Sequence, residues 1–150
     1  MQLSNRHLIL AVAGVLTVGI VGAPALYAQQ ERTLETPGVE QTVILNAPLV
    51  EFPGKRVLVF IGDFEPGAAT PIHRHPGTEF LFVLEGEGVI EQRGRDPLNL
   101  RAGVMVLSEP DADDTAFIHQ AKNLSDTNRL KTLVLIIHDE GIPPAEPLKN

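Results

Sequence analysis

Two histidines and a glutamate stand close together in residues 67–86 of this 150-residue chain, a segment that begins and ends with glycine. His73 and His75 come first, and Glu79 follows them after a Pro-Gly bend. Side chains two residues apart in a strand point to the same face, so both imidazoles and the carboxylate should converge on one side. Such nitrogen and oxygen donors suit a divalent transition metal ion. Because only 5 histidines occur in the chain, this clustering favours a metal site over histidines that happen to lie at the surface or in the core.

A fourth metal ligand is expected downstream of this cluster. His119 lies in residues 115–123, which are typical of a short strand. His7 falls in a segment expected to be removed. His138 follows an apolar run, where a surface position at the end of a strand is expected. The predicted metal ligands are therefore His73, His75, Glu79 and His119.

Residues 67–86 match the first motif of the cupin family, G-x5-H-x-H-x3,4-E-x6-G, at every fixed position. The second cupin motif, G-x5-P-x-G-x2-H-x3-N, is matched in part, in the right order, by Gly103, Pro110, His119 and Asn123. Six residues instead of five separate Gly103 from Pro110, the second glycine is missing, and Pro110 precedes His119 by nine positions instead of five. The extra residues indicate a longer acidic loop before the ligand strand. The chain thus resembles a single cupin unit over residues 55–140.

This resemblance implies a jelly-roll barrel that holds a divalent metal ion. It does not distinguish between iron, manganese, nickel, zinc and copper as that ion. Three histidines and one glutamate would leave a six-coordinate metal with two positions for water, dioxygen or an oxygen-containing substrate. The ligand set is similar to that of cupin dioxygenases, including quercetin dioxygenase, and of oxalate-handling and isomerase cupins. The one tyrosine, Tyr27, lies outside the expected mature chain, so cupin lyases with a tyrosine base and epimerases with a His/Tyr pair do not fit. Arg74 should point away from its two histidine neighbours.

The rest of the chain predicts an all-β fold. Short apolar runs separated by turn residues predict strands at residues 43–45, 57–61, 79–84, 89–91, 104–107, 116–118 and 130–137. No segment has a sustained 3.6-residue apolar period, so no substantial helix is expected in the mature chain. Many short strands indicate a sandwich or jelly-roll barrel. Alternation predicts that Glu79, Leu81 and Val83 face the interior. It places Phe80, Phe82 and Leu84 on the opposite face, toward a second sheet or a partner, and a homodimer is one such arrangement.

Residues 1–28 have the layout of a secretory signal peptide, with a short polar start, an uncharged run and small residues before Gln29. Cleavage is expected after Ala28, with a second potential site at residues 23–25. The alternative is an uncleaved anchor, because residues 8–30 are just long enough to span a bilayer. No arginine pair precedes the run, so the chain should be exported unfolded to the periplasm or beyond. Copper and zinc would compete for the site there.

The remaining domain organisation is a flexible lead-in at residues 29–42, a cupin domain at 43–140 and an extended proline-rich tail at 141–150. The formal net charge is −7, and removal of Arg6 with the leader would make it −8. An acidic chain without a basic patch is a poor nucleic-acid binder, so a small-molecule partner is expected. No cysteine is present, which excludes disulfides.

Two hypotheses of different classes follow. The first is an exported metal-dependent cupin, a dioxygenase-like oxidoreductase that acts on a small oxygenated organic substrate. The second is a binding or sensing barrel in which the metal is structural or holds a ligand without turnover, and the lack of an obvious acid–base residue beyond the ligands favours it. A barrel without metal is a third, purely structural option.

Overall fold

The computed structural model describes residues 36–109 and 117–148 of the chain. These residues form strands without any helix, in the following order: β1 (Val39–Pro48), β2 (Lys55–Phe64), β3 (His73–Arg74), β4 (Gly77–Glu85), β5 (Glu87–Gln92), β6 (Leu98–Arg101), β7 (Met105–Ser108), β8 (His119–Asn123), β9 (Leu130–Asp139) and β10 (Glu146–Pro147). The leader predicted at residues 1–28 and most of the acidic loop lie outside the described residues. Within the described part of the chain, no helix has the length and apolar character needed to cross a membrane.

The strands form two five-stranded sheets in which every pair is antiparallel. The front sheet has the order β1-β2-β9-β4-β7, and the back sheet has the order β10-β3-β8-β5-β6. Strands distant in sequence are neighbours in both sheets, as in a jelly roll. The all-β prediction is therefore confirmed, and the two antiparallel sheets agree with the predicted jelly roll.

The core lies between the inner faces of the two sheets. Along β9, buried and half-buried residues alternate, and Leu130, Val134 and Ile136 are almost fully buried. In β4 the same alternation buries Glu79, Leu81 and Val83, leaves Phe80 and Phe82 half-buried and exposes Leu84, as predicted. Removal of this apolar surface from water supplies the main stabilisation of such a sandwich. The buried core residues are Val39, Leu58, Phe60, Phe64, Leu81, Val83, Ile90, Leu100, Val106, Ala121, Leu130, Val134 and Ile136.

Some element boundaries differ from the sequence predictions. β1 begins at Val39, within the segment expected to be a flexible lead-in. The strand predicted at 116–118 is wrong for the residues that the structure describes, since Phe117 lies in a turn and β8 begins at His119. The short strands β3, β6 and β10 were not predicted. β3 and β10 have only two residues, which is too few for a periodic pattern to be recognised, whereas β6 has four residues, as many as the predicted β7.

The prediction that His138 lies at the surface is wrong. His138 is only 1% exposed. The alternation that turns Val134 and Ile136 inward also turns His138 inward, because these positions differ by two residues. The chain beyond β9 then covers it, and the backbone carbonyl of Ile142 lies 2.9 Å from its Nδ1.

Candidate metal centre

The four predicted ligands come together between the two sheets. His73 on β3 and His119 on β8 lie directly opposite each other in the back sheet. Glu79 comes from β4 in the front sheet, and His75 lies in the short link between β3 and β4. Each is at most 6% exposed. The sandwich thus brings donors from both sheets to one buried point.

The donor atoms are close enough to act as a group. The Nε2 atoms of His73 and His75 are 3.2 Å apart. Glu79 places Oε1 3.4 Å from Nε2 of His75 and Oε2 3.8 Å from Nε2 of His119. One ring nitrogen from each histidine lies within 4.8 Å of the other two, so the three histidines could hold a metal ion.

Backbone carbonyls fix the protonation of all three imidazoles. Nδ1 of His73 lies 2.8 Å from the carbonyl oxygen of Pro71, and Nδ1 of His119 lies 2.9 Å from that of Phe117. Nδ1 of His75 lies 2.7 Å from the carbonyl oxygen of Pro144. Because a carbonyl can only accept, each Nδ1 must carry the hydrogen and donate it. In the neutral rings, every Nε2 therefore presents a bare lone pair to the centre, which is the form that binds metals.

The position of Glu79 is fixed by two neighbouring features. The hydroxyl of Ser108, its direct partner on β7, donates a hydrogen bond of 3.1 Å to Oε2. Gly77, two residues earlier, lies so near the backbone of β9 that a Cβ there would collide with the carbonyl of Ile137. The Pro-Gly bend thus lets β4 lie against β9 with its carboxylate directed at the histidines.

The electrostatics of the cluster keep two of its imidazoles neutral and its carboxylate ionised. Burial, strengthened by the neighbouring imidazoles, lowers the pKa of His73 to about 3. Burial also lowers the pKa of His119. Burial opposes ionisation of Glu79 too, but the attraction of His75 outweighs it, so the pKa of Glu79 falls to about 2. Burial acts to lower the pKa of His75, but the charge and the hydrogen bond of Glu79 outweigh it, so the pKa of His75 is raised.

These features fit a metal ion. Two neutral imidazoles whose Nε2 lone pairs face each other across 3.2 Å repel unless a proton or a cation lies between them. The donor nitrogens of the three histidines lie within 4.8 Å of one another, so shifts of about 1 Å in each side chain would bring all three into contact with one ion. The donor set therefore suits a divalent ion, and His73, His75 and His119 with Glu79 beside them are the residues that would hold it.

The centre opens into a cavity of about 40 Å³ inside the barrel. About three water molecules would fill it. Its wall is mainly apolar and includes Leu58, Phe60, Phe64, Leu81, Val134 and Ile136. Apart from the three histidines and Glu79, the described side chains of the wall carry no titratable group, and the polar ones are Gln41, Thr70 and Thr132. A small, largely apolar molecule with a polar end would match this space.

Several contributors to the site were not predicted from the sequence. Ser108 and the carbonyls of Pro71, Phe117 and Pro144 orient the donors, but none belongs to a ligand-type residue. Only the strand register that pairs Glu79 with Ser108 could have identified the serine. Arg74 lies outside the cluster as predicted, with its Nε 2.8 Å from Oε2 of Glu146.

Asn123 of the second motif has a structural role. It is fully buried, and its amide nitrogen donates to the carbonyls of Phe64, Glu65 and Asn128 while its oxygen accepts from the backbone of Ser125. These bonds tie the loop after β8 to the end of β2. The His-x3-Asn spacing from His119 to this residue therefore reflects loop anchoring, not ligation.

Comparison with protein families finds a match to the cupin domain over residues 60–136, about half of the chain. Among curated proteins, the auxin-binding protein T85 of Nicotiana tabacum is 32% identical over 95 residues. That match takes in 57% of this chain and 50% of the tobacco protein. The chain therefore spans only half the length of this relative.

Solved structures show the same fold. A cupin-like protein from Thermotoga maritima superimposes with a TM-score of 0.59 at 25% identity, covering 75% of this chain and 77% of that one. An oxalate oxidase in complex with the substrate analogue glycolate gives a TM-score of 0.54 at 22% identity, covering 86% of this chain and 66% of that one. At this identity the oxidase supports the architecture and says nothing about substrate.

Proposed function

The chain belongs to the cupin family, and from this premise we propose that it is a metal-dependent oxidoreductase of the dioxygenase-like kind, acting on a small oxygenated organic substrate. The observation that carries the proposal is the buried cluster of three imidazoles and one carboxylate at the edge of a small apolar cavity. A divalent ion there would supply Lewis acidity and a binding place for oxygen ligands. We further propose export to the periplasm after removal of the leader, and no nucleic-acid partner.

The protein's own residues would have defined tasks in this activity. Pro71, Phe117 and Pro144 hold the histidines as Nε2 donors through their carbonyls. Glu79 is ionised at neutral pH, since its pKa is lowered to about 2, so it can hold a cation but is a weak base. The apolar wall excludes bulk water from the substrate. No further acid or base lines the described part of the wall, so the chemistry must rely on these groups.

Metal content is the first test. The purified chain, stripped with chelator, would be reconstituted separately with iron, manganese, nickel, zinc and copper and analysed by inductively coupled plasma mass spectrometry. We expect about one ion per chain with at least one metal, and replacement of His73, His75 or His119 by alanine should abolish it, since each substitution removes one bond from the site. Asn99→Ala, an exposed change on β6, is the control. Content below about a tenth of an equivalent with every metal would exclude the metal site.

Oxygen consumption is the second test. Small enolic compounds that fit a cavity of this size would be supplied to the loaded protein, with the His119→Ala variant as the blank. We expect metal-dependent oxygen uptake and incorporation of labelled dioxygen into product. If the loaded protein binds such compounds without turnover, the dioxygenase proposal is wrong.

The second candidate function is a small-ligand binding or sensing barrel without turnover. The curated relative at 32% identity favours it, because that protein is named for binding auxin. The lack of any titratable side chain in the described wall beyond the cluster favours it as well. Ligand binding seen by calorimetry without oxygen uptake would support this alternative.

We also propose that a second copy of the chain covers the outer face of the front sheet. An antiparallel sheet with one solvated face normally alternates apolar and polar residues, yet this outer face is mostly apolar in three neighbouring rows across the strands. The rows are Leu45, Val59, Leu135, Phe80 and Leu107; Thr42, Ile61, Leu133, Phe82 and Met105; and Ala47, Val57, Ile137 and Thr78, so that the two threonines are the polar members. Ion pairs lie at both ends of the face, Lys55 with Asp139 and Lys131 with Asp63.

The dimensions of this outer face suit a dimer. Five strands about 4.8 Å apart and three rows about 7 Å apart cover about 500 Å². Two copies would then bury about 1,000 Å², which is the lower limit for a specific interface. An apolar centre with charged margins is also the usual arrangement of such interfaces.

A further inference from the structure

The segment after β9, residues 141–148, crosses from one sheet to the other, and we call it the C-terminal strap. Gly141, with φ of 83°, turns the chain back at the end of β9 in the front sheet. Glu146 and Pro147 then pair as β10 with β3 at the edge of the back sheet. The backbone nitrogen of Leu148 donates to the carbonyl of Ile72 at 2.9 Å. The strap therefore closes one end of the sandwich.

The strap reaches the candidate metal centre at Pro144. This residue is buried, lines the cavity together with Ala145, and accepts the Nδ1 hydrogen of His75 on its carbonyl at 2.7 Å. The carbonyl acceptors of His73 and His119 lie two residues earlier in the chain, just before the strands that carry these histidines. The acceptor for His75 lies 69 residues away in sequence. The orientation of His75 thus depends on a part of the chain that the ligand motif does not contain.

Two features hold the Pro144 carbonyl in place. Proline has a fixed φ, so the Pro143-Pro144 pair presents its carbonyls with few alternative backbone conformations. On the other side, the ion pair between Arg74 and Glu146 is 2.8 Å long and joins the strap to the strand that also carries His73. The same β-strand therefore carries one ligand and holds the segment that orients another.

We propose that the C-terminal strap is a positioning element of the metal site, in which the carbonyl of Pro144 sets the tautomer and ring orientation of His75. The inference rests on the proposed metal binding and deepens it. Outer hydrogen-bond partners of ligating histidines are worth about 10- to 100-fold in metal affinity. Because coupling between two events is reciprocal, metal binding must in turn favour the seated strap.

Cobalt(II) is a suitable probe, since its visible spectrum reports the number and arrangement of ligands as well as binding. A chain ending at Pro143 lacks Pro144 and β10, whereas a control chain ending at Leu148 keeps the whole strap. We expect the shorter chain to bind cobalt about 10- to 100-fold more weakly and with an altered spectrum, and the control to match the full chain. Equal affinity and an identical spectrum for the shorter chain would overturn the positioning role.

Hydrogen exchange on the full chain tests the same inference without a truncation that could unfold the protein. Zinc should slow exchange in the strap, including the amide of Leu148, while the edge strand β6, which contributes no residue to the cluster or the cavity wall, serves as an internal control. Unchanged exchange in the strap would contradict the coupling. A full chain that binds neither metal refutes the metal site itself. If the full chain binds metal but hydrogen exchange in the strap does not change, only the positioning role is refuted.

Discussion

At the scale of single residues, the candidate site consists of four donor side chains and of the backbone carbonyls and the serine hydroxyl that orient them. The His-x-His-x3-Glu spacing identified His73, His75 and Glu79 as one cluster, and the structure brings His119 to them. The carbonyl acceptors are backbone atoms, which every residue has, so no sequence pattern identifies them. Ser108 is recognisable only from the register of β7 against β4.

The titration of this cluster makes the stability of the metal-free protein depend on pH. In the fold, the pKa of His73 falls from 6.5 to about 3, so between these values an unfolded chain binds a proton that the folded chain does not. The lowered pKa of His119 acts in the same direction. The fold lowers the pKa of Glu79 from 4.5 to about 2, so the loss of stability continues at lower pH as this carboxylate is protonated. The raised pKa of His75 gives a contribution that is complete below 6.5 and is lost only as the pH rises.

We therefore expect the free energy of unfolding of the chelator-treated protein to fall steadily as the pH is lowered from 6.5 toward 3. Urea titrations followed by circular dichroism at constant ionic strength would measure it. In His73→Gln the dependence should be shallower, because the substituted residue does not titrate. An identical slope in that variant would rule out His73 as a source of the effect.

At the scale of elements, most strands of four or more residues were predictable and the two-residue strands were not. The apolar run at residues 133–137 predicted β9 because β-branched and leucine residues repeat without interruption. β3 has two residues and β10 has two, and both exist because each pairs with a neighbour at a sheet edge. The order of strands within a sheet depends on contacts between distant segments, which a local pattern does not contain.

The last glycine of the first motif is a feature of element geometry rather than of chemistry. Gly86 joins β4 to β5 with φ of 81°, and a Cβ there would collide with the carbonyl of Arg129. Gly94, at φ of 72°, has open space around the same position. Substitution of Gly94 would therefore measure the cost of a left-handed backbone alone, whereas substitution of Gly86 would add the cost of a collision.

We expect Gly94→Ala to cost about 1 kcal/mol of unfolding free energy, from backbone strain alone. Gly86→Ala should cost at least about 2 kcal/mol more, because β4 or the chain at Arg129 must shift to remove the overlap. Chemical denaturation of both variants would give the difference. Equal losses would mean that the close approach at Gly86 is not rigid.

At the scale of the whole molecule, the apolar outer face of the front sheet predicts a dimer. Light scattering coupled to size-exclusion chromatography should give twice the chain mass for the protein beginning at Gln29. The double substitution Met105→Glu and Leu107→Glu places two charges on this face and should yield monomers. Leu98→Glu, on the back sheet and 37% exposed, should leave the dimer intact. A monomer before any substitution would contradict the proposed interface.

The distance in sequence between His75 and Pro144 has a consequence for protein synthesis. The acceptors for His73 and His119 precede them by two residues, so those histidines leave the ribosome together with their partners. β2 and β4 are also separated until β9 is made, because β9 lies between them in the front sheet. A nascent chain that already contains all four donors therefore exposes two unpaired strand edges, which favours aggregation. Because the chain is proposed to be exported unfolded, a chaperone should keep it soluble until it has crossed the membrane, and metal acquisition should follow the pairing of β9 and the seating of Pro144 after export.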